Sequence, residues 1–291
     1  MIIVKLMGGL GNQMFQYAFG RSLSLKKGVP LKLDLSFLLD RTPVKNFVFR
    51  DYDLTIFKCM PEIANHVEKT SILTDSFLLS NKHFNKILPV TKRRYYTEKS
   101  FEYDANSQKI DDNTYLEGYW QSYKYFSEFE DVIRKDFSFN HKFTEKEEAV
   151  NQKIKSTNSV CVNVRRTDFL VNSHHGVCNE EYFKNGINSI EQFETDLEIF
   201  VFSDDMDWCR ENLKFNHKTF FVGHEYAGDK FQSYLSLMTN CKHFIIPNSS
   251  FGWWAAWLAS HKKKIVITPK KWFGNVKRNT NDLIPANWIR L

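Results

Sequence analysis

Cysteine is scarce and odd in number. Of 291 residues only five are Cys, namely Cys59, Cys161, Cys178, Cys209 and Cys241, and no two are spaced as C-x-x-C. That argues against a disulfide framework and against a zinc site, and it fits a reducing compartment. Cys161 lies within an apolar strand and reads as a small buried hydrophobe. Long apolar runs are missing too. No stretch approaches the roughly 20 residues that a spanning helix needs, and residues 1–7 are too short for the core of a signal peptide. The expectation is a cytoplasmic protein, with peripheral contact to the inner face of a membrane as the remaining option. Charge of one sign is also in short supply: 40 Lys and Arg against 34 Asp and Glu leave +6 at neutral pH. That excess is too weak to argue for nucleic acid, but it is compatible with anionic substrates. There is no internal repeat and no low-complexity tract.

What is present is material for cores. Aromatics make up 15% of the chain, 26 of them Phe, which suits one or two globular domains. The start reads as a β-α-β unit: a strand at 2–7, a glycine-rich turn at 8–13, a helix at 14–25 ending in Lys26-Lys27-Gly28, and a second strand in which Leu31, Leu33 and Leu35 alternate. From 36 to 150 the pattern is less regular. A strand at 115–121 and a helix at 123–137 stand out there. Residues 144–158 are polar and charged, which places a domain boundary at 155/156. Beyond it, strands at 160–164, 197–202, 219–222, 244–247 and 265–268 alternate with helices near 180–192, 205–213, 229–240 and 250–260. Such alternation implies parallel sheets wrapped by helices. The expected fold is α/β, with two Rossmann-like domains, 1–155 and 156–291, facing a central cleft.

In open parallel sheets ligands sit beyond the carboxyl ends of the strands. In the second half those ends carry Arg165-Arg166-Thr167-Asp168, Ser203-Asp204-Asp205, Gly223-His224-Glu225 and Asn248-Ser249-Ser250-Phe251-Gly252. An arginine binds phosphate oxygens through two parallel charge-assisted bonds. Asn248-Ser249-Ser250 opens a helix, whose free N–H groups favour an anion. Asp204 or Asp205 can accept bonds from a ribose or a base. Together they describe a site for a nucleoside diphosphate. Taken singly, Asn248 or Ser249 reads as a helix cap, Asp204 and Asp205 as acids favoured at a helix start, and Asp168 as a partner holding an arginine. Trp253, Trp254 and Trp257 read as core. Two arginines straight after a buried strand are costly without an anionic partner, so there the functional reading leads. The turn from Gly8 to Met14 fits neither G-x-G-x-x-G nor G-x-x-x-x-G-K-[ST]. It offers close backbone approach, with Asn12 and Gln13 as hydrogen-bonding groups.

Three stretches resemble one family: Gly8-Gly9-Leu10-Gly11-Asn12-Gln13-Met14-Phe15-Gln16-Tyr17-Ala18, Arg165-Arg166-Thr167-Asp168, and Asn248 through Leu258. The family is glycosyltransferase family 11, the bacterial α-1,2-fucosyltransferases. Gly118 to Phe126 and Phe202-Ser203-Asp204-Asp205 match its habits as well. The resemblance implies a GT-B fold, with GDP-fucose as donor and held by the C-terminal domain. It implies no metal or other cofactor, and inverting transfer to the 2-hydroxyl of a galactose-type residue in an oligosaccharide or lipid-linked glycan acceptor, with no nucleic acid partner. By motif, Arg165 contacts the diphosphate and, with Asp168, forms the catalytic set. Gly9, Gly11, Asn12, Asn163, Arg166, Ser203, Asp204, Asn248, Ser249, Ser250 and Phe251 complete the donor site, with Asn12 reaching it from the opposite domain. The family motif usually reads His-x-Arg-Arg-Gly-Asp-Tyr. Here Asn163, Thr167 and Phe169 replace the His, Gly and Tyr, and Gly252 replaces a more usual Ser. Asn163 hydrogen-bonds but carries no titratable proton. Candidates for a general base are Asp34, Glu117, Asp168, His174 and His175. The alternatives are a transferase for another GDP-sugar, and a non-catalytic nucleotide- or sugar-binding protein.

Overall fold

A computed structural model describes residues 1–44, 48–74, 87–171, 178–274 and 278–291, apart from the side chains of Thr74, Asp168 and Val171. The chain divides into two compact units. The first is Met1–Ser138 with Asn279–Pro285, and the second is Phe139–Arg278 with Ala286–Leu291. The division thus falls at 138/139 rather than at the expected 155/156, and a C-terminal segment belongs to the first unit.

The first unit holds a parallel sheet of β1 (Ile2–Lys5), β2 (Leu31–Asp34), β3 (Glu62–Ile63), β4 (Tyr95–Thr97) and β5 (Thr114–Glu117), in the order β3-β2-β1-β5-β4. The second holds β6 (Asn158–Val164), β7 (Leu197–Ser203), β8 (Lys218–Val222), β9 (His243–Ile245), β10 (Val266–Thr268) and β11 (Ile289–Arg290), parallel in the order β11-β10-β9-β6-β7-β8. The two orders agree on one side only. In the first unit the chain runs outward from β1 to β2 and β3, then resumes at the far edge with β4 and returns inward to β5 beside β1. In the second it runs from β6 to β7 and β8, then resumes beside β6 with β9 and moves outward to β10 and β11. Strand order therefore reverses at β1/β5 and at β6/β9. At β6/β9 the two flanking connections leave in opposite directions and open a crevice at the strand ends, whereas β5 is the last strand of its sheet.

The central strands are buried on both faces, as parallel strands under helices must be. Val160, Cys161 and Val162 of β6 and Ile199, Phe200, Val201 and Phe202 of β7 have no exposed surface. Trp253, Trp254 and Trp257 are core, as expected: Trp253 stacks on Trp257 at 6.1 Å and meets Trp254 edge-on at 5.0 Å. All five cysteines are unbridged.

Three local expectations change. The first helix is Leu10–Lys27, so Gly11-Asn12-Gln13 form its first turn rather than a loop; Gly9 takes the N-cap position and Gly28 ends the helix at φ 64°. The segment 123–137 is broken into short turns of 3-10 helix at Tyr123–Tyr125 and Ser127–Phe129, followed by a helix at Glu130–Asp136. The polar stretch read as a boundary contains a helix, Glu145–Ser156. It opens with a capping box in which Thr144 and Glu147 each bond the other's backbone N–H. No helix among the described residues is long and apolar enough to cross a membrane.

Candidate functional site

The reversal between β6 and β9 collects most of the residues expected to carry function. Arg165 and Arg166 follow directly on β6; Asn248 and Ser249 lie between β9 and the helix Ser250–Leu258. The two arginines are not equivalent. Arg166 is anchored: its Nε donates to Asp205 at 3.3 Å, its guanidinium lies 3.8 Å from the centre of the Trp208 ring, and its side chain is 15% exposed. Cation–π stacking and an ion pair together fix that side chain in the fold. Arg165 is 30% exposed and touches Asp204 at 3.3 Å. It is the arginine with a face toward solvent at the strand end.

Asp204 does something that its place at a helix start does not reveal. Its carboxylate accepts the backbone N–H of Arg166 at 2.9 Å and of Thr167 at 3.2 Å, the Thr167 hydroxyl, and the Arg165 guanidinium. The carboxylate is thus a clamp on the loop after β6. Oδ2 carries three of these contacts and Oδ1 one, and Asp204 also lines the neighbouring cavity. Thr167, where the family motif has Gly, contributes one of the clamp's donors. Asp205 caps the helix Met206–Asn212 by accepting the Trp208 N–H at 3.2 Å, and its own N–H donates to the Ser203 hydroxyl at 2.9 Å. The Ser203 carbonyl accepts from His224 Nε2 at 2.9 Å.

Beside these groups, at the ends of β7 and β8, lies a cavity of about 290 Å³ lined by Asp204, Asp205, Met206, Asp207, Arg210, Gly223, His224 and Glu225. His224, Glu225 and Arg210 were not among the expected ligand-binding residues. The signal for the first two was available, since Gly223-His224-Glu225 follows a strand.

Asn163 is buried and donates its amide to the Phe202 carbonyl at 3.3 Å. Its Oδ1 stands only 2.6 Å from where a Cβ at position 252 would sit. Gly252 is therefore the residue that leaves room for Asn163. Ser249 takes the N-cap position of the helix Ser250–Leu258, yet its side chain makes no capping bond. The reading of Ser249 as a mere cap loses its basis. Asn248 donates to the Trp272 carbonyl at 2.8 Å, while its Oδ1 is buried with no partner among the described residues. Phe251 lies in the first turn of the same helix, half-buried. Cys178 is half-buried, and desolvation pushes its thiol up to about 12, which disfavours the thiolate.

In the first unit Asn12 sits in the first helical turn, next to Gly11, and its Oδ1 accepts from Gln121 Nε2 at 2.7 Å. Asp34, a general-base candidate, is saturated. Burial alone would push its carboxyl up, but bonds from Lys69, Tyr115 and the Ser36 N–H and hydroxyl outweigh it and hold the group below its usual value. Those bonds are 2.8, 2.6, 3.0 and 2.9 Å long. A carboxylate held this way is a poor base. His174, His175 and the side chain of Asp168 lie outside the described residues. Lys264 donates to the Ala259 carbonyl at 2.7 Å and the Trp257 carbonyl at 3.2 Å, closing the end of the helix Ser250–Leu258. Among the described residues no group of three or more His, Cys, Asp or Glu is placed to hold a metal ion.

The whole chain, residues 1–291, matches the sequence profile described as Glycosyl transferase family 11. It is 33% identical to an alpha-1,2-colitosyltransferase of Escherichia coli, with 100% of this chain and 98% of that one aligned. It is 28% identical to galactoside alpha-(1,2)-fucosyltransferase 1 of Aotus azarae over 50% of this chain and 42% of that one. The solved structure of the fucosyltransferase NodZ from Bradyrhizobium covers 89% of this chain and 91% of its own, with a TM-score of 0.53 at 13% identity. That last likeness is one of fold: two parallel α/β units of the GT-B type.

Proposed function

The chain belongs to glycosyltransferase family 11, and we propose that it transfers fucose from GDP-fucose, with inversion, to the 2-hydroxyl of a galactose-type residue. The observation that supports the donor half of this reading is that Arg165 and a helix start whose Ser249 makes no side-chain capping bond follow the two strands of the β6/β9 reversal. Both supply fixed positive potential where a leaving diphosphate gains charge. The acceptor oxygen bonds to the anomeric carbon as the bond to the β-phosphate oxygen breaks. The hydroxyl proton passes to a base, and GDP departs with the negative charge. Arg165 neutralises that charge. Arg166 positions the loop through Asp205 and Trp208. Asn163 keeps the β6 end in register with β7. The cavity at His224 and Glu225 is assigned to the nucleoside. No metal is required in this reading, because the arginine and the helix start do the electrostatic work of a cation. The acceptor class extends to lipid-linked glycans, with Lys262 and Lys263 as the basic contact to an anionic membrane surface.

A second donor deserves a place because the relative at 33% identity is a colitosyltransferase. Colitose is fucose without its 3-hydroxyl, so the diphosphate logic is shared and only the sugar pocket differs.

The test is a mass-spectrometric product assay. The protein is mixed with GDP-fucose or GDP-colitose and a panel of β-galactosides, with EDTA present. A fucosylated product with an α-1,2 linkage is expected. Product from GDP-colitose alone moves the reading to the second donor. Product that disappears with EDTA removes the metal-free mechanism. Absence of product together with no rise in melting temperature on adding GDP ends the reading.

A further inference from the structure

The reversal between β1 and β5 ends in chemistry that the donor reading leaves unused. Lys5 closes β1 and Glu117 closes β5, one step beyond the paired Val4 and Leu116. Lys5 Nζ meets Glu117 Oε1 at 3.0 Å, and each side chain is 22% exposed. The Lys5 ammonium also stands 5.7 Å from the centre of the half-buried Phe37 ring. The backbone around them is fixed. Buried Gln16 accepts the Met7 N–H at 2.9 Å and donates to the Gly118 carbonyl at 3.1 Å, tying together the two chain segments that leave β1 and β5.

The neighbouring acids on this edge are fully engaged. Asp34 accepts four donors, and Glu98 accepts the N–H groups of Tyr119 and Trp120 at 2.8 and 2.9 Å. Glu117 differs. Its carboxylate bonds Lys5 through one oxygen, which leaves Oε2 able to accept, and Lys5 keeps two N–H donors. A spare acceptor and spare donors about 3 Å apart, beside an aromatic ring, match a group that both donates and accepts. A hydroxyl on a pyranose is such a group, and the sugar's C–H face suits the ring. An anion does not fit, because Glu117 opposes it.

We propose that Lys5, Glu117 and Phe37 form a subsite for the neutral acceptor sugar, in which one sugar hydroxyl donates to Glu117 and accepts from Lys5. This deepens the glycosyltransferase reading and rests on it. The pair is a binding device, and its loss reads out in acceptor affinity rather than in donor handling.

The experiment uses the full chain, as wild type and as Glu117→Gln, Lys5→Met and Phe37→Ala. Acceptor KM is measured for lactose, and for the rest of the β-galactoside panel, at saturating donor. Lactose binding without turnover is followed by saturation-transfer NMR in the presence of GDP. Glu117→Gln and Lys5→Met are each expected to raise acceptor KM about tenfold or more, the scale of a lost hydrogen bond to a charged group; Phe37→Ala raises it through lost ring contact, and all three weaken the NMR signal. Donor KM and the GDP-induced rise in melting temperature stay within about twofold of wild type. Unchanged acceptor KM in Glu117→Gln and Lys5→Met overturns the subsite. Loss of the GDP-induced rise along with lactose binding also overturns it, because the pair then serves the fold. Wild-type turnover with unaffected variants sinks the subsite alone, whereas wild-type protein that makes no product with any donor sinks the transferase reading beneath it.

Discussion

The two strand-order reversals sit at the centres of their sheets and differ in chemistry. At β6/β9 the strand end delivers Arg165 and Arg166, each within 3.3 Å of an aspartate that follows β7, and beside them a helix start whose N–H groups add positive potential. At β1/β5 it delivers one cation and one anion already facing each other. The first arrangement suits a ligand that brings negative charge; the second suits one that brings none. Each edge is also stiffened by a single carboxylate. Asp204 gathers Arg166, Thr167 and Arg165 in the second unit, and Asp34 gathers Ser36, Lys69 and Tyr115 in the first. The same residue type thus builds the platform in both places, and the groups left over decide what the platform binds.

The sharpest way to break this comparison is to remove the positive charge that defines the second edge. Arg165→Ala is expected to lower kcat/KM by about 100- to 1000-fold, the scale of one lost donor to a developing anion. The GDP-induced rise in melting temperature shrinks with it. Arg166→Ala, by contrast, is expected to lower the melting temperature of the free protein, because Arg166 is held by Asp205 and Trp208. Equal kinetic losses with unchanged stability in both variants would contradict the division of labour. Next in size is Asp204→Asn. An amide can accept through only one of its two positions, so the loop after β6 loses donors' partners, at a cost of about 3 kcal/mol in stability. Chemical denaturation measures this, and a cost below about 1 kcal/mol would mean that water replaces the clamp.

Much of this was legible before any coordinates. The second unit's strands were readable because β-branched and aromatic runs are long and flanked by polar loops. Arg165, Arg166, Asp204, Asn248 and Ser249 were picked from strand ends alone. Roles were harder. Asp204 reaches Arg166 and Thr167 across 38 and 37 residues of chain, a partnership no local spacing encodes. The first helix begins at Leu10, in glycine-rich sequence of low helix propensity, because Leu10 and Gly11 are buried there. The helix Glu145–Ser156 has a readable start in Thr144-x-x-Glu147, but its charged composition reads as a domain boundary. The first unit's short strands, of two to four residues each, carry too little pattern to register over 36–113.

A smaller effect sharpens the second edge further. At Gly252 an added Cβ meets Asn163 Oδ1 at 2.6 Å. Gly252→Ala is expected to cost about 2 kcal/mol, the scale of overpacking. Asn163→Ala in the same chain should return part of that cost, since the clashing atom is gone. A double variant no more stable than the sum of the two singles would show that the helix backbone, and not Asn163, sets the limit.

The smallest expected effect tests the first edge through pH. Tyr115 donates to Asp34 at 2.6 Å, one of the bonds that hold this buried carboxyl below its usual value. A depressed carboxyl contributes stability in full above its unfolded value, and that contribution is lost as pH falls through the folded value. Tyr115→Phe removes one bond to the ionised form. It should cost about 1 kcal/mol at pH 7, and the gap between wild type and variant should narrow as pH falls through the folded carboxyl's own titration, which lies below its usual value. Urea denaturation at pH 7, 5 and 3 measures the gap directly. A gap that stays constant until the folded carboxyl has taken up its proton would mean that the Tyr115 hydroxyl serves the neutral carboxyl as well as the ionised one, since Phe keeps the ring that stacks on Tyr95 at 5.7 Å. The first edge would then be held without the charge of Asp34, and its likeness to the second would end there.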